Sequence, residues 1–242
     1  MSVPRGTVAI EEAVLNAEGV EWLSKSASLY APGTKAEDLR EHALTKALQD
    51  IHGERLAKMD ATGVEYMLLS LTSASTQGIP HVQEAAAIAV QANDWLAEQC
   101  AINPKRFGGL ASLAMHDAKT AAGELRRAVK ELGMFGAIIN DFQEVFDEER
   151  GKVKKVLYDG REYDEFWAAV EELGVPIYLH PRYPVEADLQ PGEKYAPGRR
   201  HLIGAGVGFH LDLSYHIYAI MSSGVLDRYP GVQIVIGHLG EG

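Results

Sequence analysis

Cysteine is nearly absent. Cys100 is the single thiol in 242 residues, so no intramolecular disulfide can form and a reducing compartment suits the chain. Long apolar runs are absent too. None approaches the ~18 residues of a membrane span, and the opening MSVPRGTVAIEEA lacks the apolar segment of a secretory signal. Both absences point to the cytoplasm and away from a membrane. No Lys/Arg-rich run occurs, and the formal net charge is −11. Binding a nucleic-acid backbone requires clustered cations that displace counterions, so nucleic acid is excluded as a partner. No G-x-G-x-x-G or Walker pattern follows the first predicted strand, which weakens a nucleotide-binding reading. There are no motif-level repeats and no low-complexity tracts.

What is present is a regular alternation of short apolar runs and longer helical patterns. Strands are predicted at 7–12, 64–71, 107–113, 134–140, 175–180 and 232–237. Helices are predicted at 53–63, 82–103, 117–133, 162–174 and 209–230, with Asp117 as an N-cap and Gly63 and Gly133 as terminators. Two stretches break the rhythm: 14–50 reads as an insertion with some helix, and 141–161 as an exposed, charged loop. Strands alternating with helices imply a parallel sheet with right-handed crossovers, as an open doubly wound sheet or a (β/α)8 barrel. Glu11, Asn140, His180 and His238 stand at the C-terminal ends of different strands, where a barrel keeps its active site. Both architectures stay open at this point: the strand-end residues favour an α/β fold of the (β/α)8 TIM-barrel type, of which a single domain over 1–242 holds about six β/α units and leaves the barrel incomplete. Six strands cannot close an eight-strand circuit, which predicts open edges and either self-association along them or poor solubility.

The strand "TVAIEE" delivers two carboxylates, Glu11 and Glu12. Alternate strand residues face opposite sides, so one of them points to the barrel mouth; a solvated strand end is the alternative. His180 closes "IYLH", where an imidazole suits a divalent metal or acid–base work, or is a hydrogen-bonded core residue. In "IGHLGEG", Gly237 and Gly240 permit close backbone approach, and Glu241 stands three residues from His238, placed to orient its imidazole. His210 and His216 are not spaced for one helix face, so at least one is a surface or packing residue. His42, His52, His81, His116 and His201 show no partner pattern. Arg199 and Arg200 read as a solvated loop, and Trp22, Trp95 and Trp167 as packing.

The segments "VAIEEA", "YMLLSLTSASTQGIP", "GAIIND", "VPIYLHPR" and "QIVIGHLGEG" together resemble the amidohydrolase-related decarboxylases, nearest the branch that acts on 2,3-dihydroxybenzoate and γ-resorcylate. The similarity runs from Thr7 to Gly242. It implies a (β/α)8 barrel of the metal-dependent hydrolase superfamily, a divalent metal such as zinc or manganese, and non-oxidative loss of CO2 from a hydroxylated benzoic acid. It also implies a homo-oligomer. By this resemblance Glu11 and His180 are metal ligands, His238 is the catalytic histidine and Glu241 its partner. Asn140 and Arg182 are the candidate substrate contacts. Two departures stand out. The family's first strand ends Glu-x-His, and Ala13 occupies the histidine position; the family's late aspartate ligand has no counterpart before Gly242. Two remaining protein ligands predict weak or absent metal binding. The alternatives left open are a lactonase-like hydrolase of the same superfamily and a catalytically impaired binding or interaction protein.

Overall fold

The computed structural model describes residues 6–17, 19 and 36–238. Its strands are β1 (Thr7–Val14), β2 (Val64–Leu71), β3 (Phe107–Gly109), β4 (Ala111–Ser112), β5 (Ala137–Asn140), β6 (Gln143–Asp147), β7 (Lys152–Val156), β8 (Pro176–His180) and β9 (Gln233–Ile236). Its helices are α1 (Ala36–Glu41), α2 (Ala43–Gln49), α3 (Glu54–Thr62), α4 (Val82–Ile102), α5 (Ala118–Lys130), α6 (Asp164–Leu173), α7 (Gly208–Ser222) and α8 (Val225–Arg228). The strands pair in parallel in the orders β1-β2-β3 and β4-β5-β8-β9. The two sheets meet at Leu110. Its N–H donates to the Leu69 carbonyl, whereas the next N–H, of Ala111, donates to Gly136 on the other side. The predicted third strand, 107–113, is thus one strand that changes partner part-way along. Counted so, six parallel strand positions follow one another in chain order, as the barrel reading requires.

The two faces of this curved sheet are distinct. Leu68, Leu110, Ile138, Tyr178 and Val235 pack together on the concave side. Met67, Leu69, Ile139, Ile177 and Leu179 face the helices in the main core, with Trp167 and Phe166 of α6. Alternate strand residues therefore divide between barrel interior and helical shell. Helix α5 shows how the sequence builds that shell. Asp117 accepts a hydrogen bond from the Thr120 N–H at 2.8 Å. Ala118, Ala121, Ala122, Leu125 and Ala128 form its buried stripe at helical spacing. Gly63 ends α3 in the left-handed region at φ 75°, where a side chain would be strained.

Three expectations change. The 141–161 stretch is not a loop throughout: β6 and β7 pair antiparallel from Gln143↔Val156 to Asp147↔Lys152. Its charges hid the pattern, because a two-stranded ribbon needs no apolar face on its solvent side. The fourth strand starts at Ala137 rather than 134. The last helix divides, with Gly224 at φ 75° separating α7 from α8. No helix among the described residues is long and apolar enough to cross a membrane.

Candidate metal centre

The first strand carries a β-bulge. Ala9 pairs with Met67, but Glu12 pairs with Leu69, so β1 spends three residues where β2 uses two. Without the extra residue Glu11 would lie beside Leu69 and face the helices. With it, Glu12 takes that direction, and its carboxylate lies 3.2 Å from Nη1 of Arg55 on α3. Glu11 turns inward instead. Its Oε1 lies 3.0 Å from Nε2 of His180 and 3.0 Å from Nε2 of His238. The two imidazole nitrogens are 3.1 Å apart. The hydroxyl of Tyr178 donates to the other carboxylate oxygen. The bulged middle of β1, the end of β8 and the turn after β9 thus bring one oxygen and two nitrogens into a near-equilateral triangle, the only such group of three among the described residues.

The chemistry of this donor set suits a cation. Nδ1 of His180 lies 2.6 Å from the Pro181 carbonyl, which can only accept, so that nitrogen carries a proton. Nε2 is then the ring atom that faces the Glu11 carboxylate, which it meets either as an N–H donor or across a shared cation. The spacing fits as well. Donors at right angles on an ion with bonds of about 2.0–2.1 Å lie about 2.9 Å apart. Burial alone pushes the Glu11 carboxyl up. Hydrogen bonds from His180 and Tyr178, with the charges of His180 and His238, outweigh it and hold the group at about 2.

The backbone is shaped around this point. A Cβ at Gly237 would lie 2.9 Å from the Tyr178 ring and 3.3 Å from Glu11 Oε2, so glycine is required there. His238 has φ 54°, an uncommon conformation that turns its ring back toward His180. His210 on α7 donates through Nδ1 to the His238 carbonyl at 2.6 Å.

Residues 38–242 match the amidohydrolase family. The chain belongs to that family. It is 41% identical to a γ-resorcylate decarboxylase of Rhodococcus jostii (strain RHA1), over 98% of this chain and 68% of that protein. A second γ-resorcylate decarboxylase, from Rhizobium sp. (strain MTP-10005), is 38% identical over the same shares. Among solved structures, a 2,6-dihydroxybenzoate decarboxylase complexed with 2,6-dihydroxybenzoate superposes with a TM-score of 0.85 at 38% identity, covering 99% of this chain and 68% of that one. A dihydroxybenzoic acid decarboxylase of Polaromonas sp. JS666, with bound manganese and the inhibitor 2-nitroresorcinol, gives 0.84 at 39% identity over 98% and 66%. The chain spans about two thirds of the length of these relatives. Its fold is the TIM-barrel type of the amidohydrolases.

Within this amidohydrolase site the predicted residues fall into three groups. Glu11, His180 and His238 come together; His238, expected only as the acid–base group, also stands as a third donor. Glu241 lies outside the described residues, as does Trp22. Asn140 and Arg182 sit at the mouth but behave differently. Asn140 is in register with His180. Its amide nitrogen donates to the Ala74 carbonyl at 3.1 Å and Gln77 Oε1 at 2.8 Å, and its buried Oδ1 has no partner. Arg182 departs from its expectation as a substrate contact. Its side chain is 3% exposed, stacked over the Phe142 ring and bonded to the Gln77 and Phe142 carbonyls and the Glu144 carboxylate. Its charge ties the mouth loops together behind the site. Ala13 lies two residues past Glu11 beside Ser70, and its carbonyl accepts from Arg55 at 2.8 Å.

Sequence reasoning missed Tyr178 and the α7 histidines. Tyr178 was legible, because it stands two residues before His180 and shares its strand face. His216 is fully buried: Nε2 accepts from the Tyr158 N–H at 3.1 Å, so the protonated Nδ1 faces Asp141 Oδ1 at 3.2 Å. The Asp141 N–H in turn donates to the His180 carbonyl at 2.9 Å. Nothing in the local sequence signals that strut. Trp167 is buried and Trp95 half-buried in the core, as expected for packing.

Proposed function

We propose that this chain is a carboxy-lyase that removes CO2, without oxidation, from a hydroxylated benzoic acid of the 2,6-dihydroxybenzoate type. The observation that carries the reading is the triangle of Glu11, His180 and His238 in a chain about 40% identical to γ-resorcylate decarboxylases. Glu11 and His180 are the residues that would hold a divalent ion, manganese or zinc. When bound, the ion would supply Lewis-acid stabilisation of the negative charge on a hydroxybenzoate. The remaining work belongs to the chain. His238 carries the proton delivered to the ring carbon that bears the carboxylate; the C–C bond then breaks, CO2 leaves with the positive charge cancelled, and the ring regains aromaticity. A positioned acid of this kind contributes about 10²–10⁴-fold. Asn140 Oδ1, with its nitrogen already committed, is suited to accept a hydrogen bond from a ring hydroxyl. Arg182 positions the loops that carry these groups. The single cysteine and the acidic charge support a cytoplasmic setting.

A second reading of His238 has its own support: its Nε2 is as close to Glu11 as His180 is, which suits a third ligand in place of the histidine missing at Ala13. Manganese titration separates the two roles. If His238 is the proton carrier, His238→Ala abolishes turnover and binds manganese within about threefold of the parent chain, whereas His180→Ala loses the ion. If His238 is a ligand, both variants lose it. The reaction itself is tested by following CO2 release from 2,6-dihydroxybenzoate, 2,3-dihydroxybenzoate and salicylate, alongside lactone and amide hydrolysis. Hydrolysis without decarboxylation would overturn the proposal.

A further inference from the structure

Two consecutive residues of α7 hold His238 from different sides. The Phe209 ring meets its imidazole edge-on, with ring centroids 5.6 Å apart. His210 takes the backbone instead, through the 2.6 Å bond from Nδ1 to the His238 carbonyl. A carbonyl only accepts, so the neutral His210 ring carries its proton on Nδ1. Its Nε2 is buried and has no partner among the described residues. The ring therefore makes one polar contact, and makes it to the residue proposed to carry the proton. Burying an imidazole nitrogen unpaired is unfavourable, so a side chain placed only to fill this space would better be apolar.

The His238 carbonyl stands where it needs such a donor. Pairing of β9 with β8 runs to Leu179↔Ile236, and the Gly237 N–H still donates to the Leu179 carbonyl at 3.0 Å. His238 lies just past that ladder, at φ 54°. A side chain at positive φ carries a steric cost, so the surrounding structure must impose the conformation. The same turn brings the ring to 3.0 Å from Glu11 and 3.1 Å from His180. The donor itself is anchored. The Phe209 N–H donates to the Gly204 carbonyl at 3.0 Å, and Asp212 accepts from the Tyr195 hydroxyl at 2.8 Å and pairs with Lys194. Gly208 sits so close to Tyr195 that a Cβ would lie 2.7 Å from its hydroxyl.

We propose that His210 is the positioning residue for His238: its Nδ1–H locks the His238 peptide in the left-handed conformation and so keeps the imidazole turned toward Glu11 and His180. His210 stands outside the triangle of donors. The catalytic consequence of this role rests on the decarboxylase reading above; the geometry does not.

The test compares His210→Ala, His210→Asn and His210→Gln by turnover of 2,6-dihydroxybenzoate and by crystal structure. An asparagine amide nitrogen occupies the place of Nδ1, whereas a glutamine amide nitrogen reaches the place of Nε2. His210→Ala should lower kcat about 10–100-fold with KM within about threefold, because a displaced proton carrier loses the reacting geometry and not the binding. Its His238 ring should move out of hydrogen-bond reach of Glu11. His210→Asn should restore the ring and bring kcat to within about threefold of the parent, and His210→Gln should do neither. Glutamine restoring as much as asparagine would reduce His210 to packing and overturn the proposal. So would an alanine variant with ring and turnover unchanged. Should the alanine variant misfold, the asparagine and glutamine pair carries the test alone. A parent chain that releases no CO2 would refute the decarboxylase reading, and the ring positions in the variants would still decide this one.

Discussion

Replacing Tyr178 with phenylalanine removes one oxygen and asks whether Glu11 must be held to bind a metal. The ring stays: it packs in the barrel interior against Leu68, Leu110, Ile138 and Val235, and phenylalanine fills the same space. What is lost is a hydrogen bond from a neutral hydroxyl to a carboxylate, worth about 1.5–3 kcal/mol when fully buried. The Glu11 side chain is 32% exposed, so water replaces part of it and the lower end applies. About 1.5 kcal/mol corresponds to a roughly tenfold weaker ion, within the range for groups that orient a ligand. The measurement is manganese affinity by calorimetry, with thermal unfolding of the metal-free chain as the control. The melting temperature should stay within a degree or two. A manganese affinity changed less than twofold would refute the reasoning. So would a melting temperature lowered by many degrees, which would make Tyr178 a structural residue rather than one that aims Glu11.

Three further outcomes are expected. Ala13→His restores a donor on the same face as Glu11 and should tighten manganese binding at least tenfold in a competition titration; no change would mean the bulge aims residue 13 elsewhere. Arg182→Met leaves the Glu144 carboxylate and the Phe142 carbonyl without their arginine partner and should cost about 3 kcal/mol in urea unfolding, whereas a cost below about 1 would show that the clamp is dispensable. Burial pushes the Cys100 thiol up to about 11, so its thiolate is scarce at neutral pH. Its reaction with a disulfide reagent at pH 8 should be about 100-fold slower than that of a free cysteine, and equal rates would refute the burial.

The expected homologous chemistry rests on short apolar strands that each end in a titratable residue, and these were legible. A strand such as PIYLH is apolar on both faces and can only be a buried parallel strand, so its closing histidine stands at the barrel mouth. QIVIG before His238 is likewise an apolar parallel strand, half-buried at the edge of its sheet. The hairpin of β6 and β7 was not legible, because charged residues alternate with Val145, Val153 and Val156 in a ribbon packed on one side only. Arg182 reads in sequence as a substrate contact because it stands two residues past His180; the carbonyls of residues 77 and 142 that accept from its guanidinium lie far away in the chain and are not visible there.

Local pattern by itself determined the order of the parallel strands and the helices between them, and the placing of Glu11, His180 and His238 toward one end of the sheet. Those depend on hydrophobic period and on residue type at strand ends, which are written within a few positions of each other. Which of two adjacent carboxylates enters the site was decided only in three dimensions. A one-residue bulge, set by how β1 pairs with a strand more than fifty positions away, turns Glu11 toward the histidines and Glu12 toward Arg55. The distances that make the three donors a site come from the curvature of the whole sheet, which carries β1 across the mouth to the ends of β8 and β9. Register and curvature are properties of pairing between distant segments, and no single segment contains them.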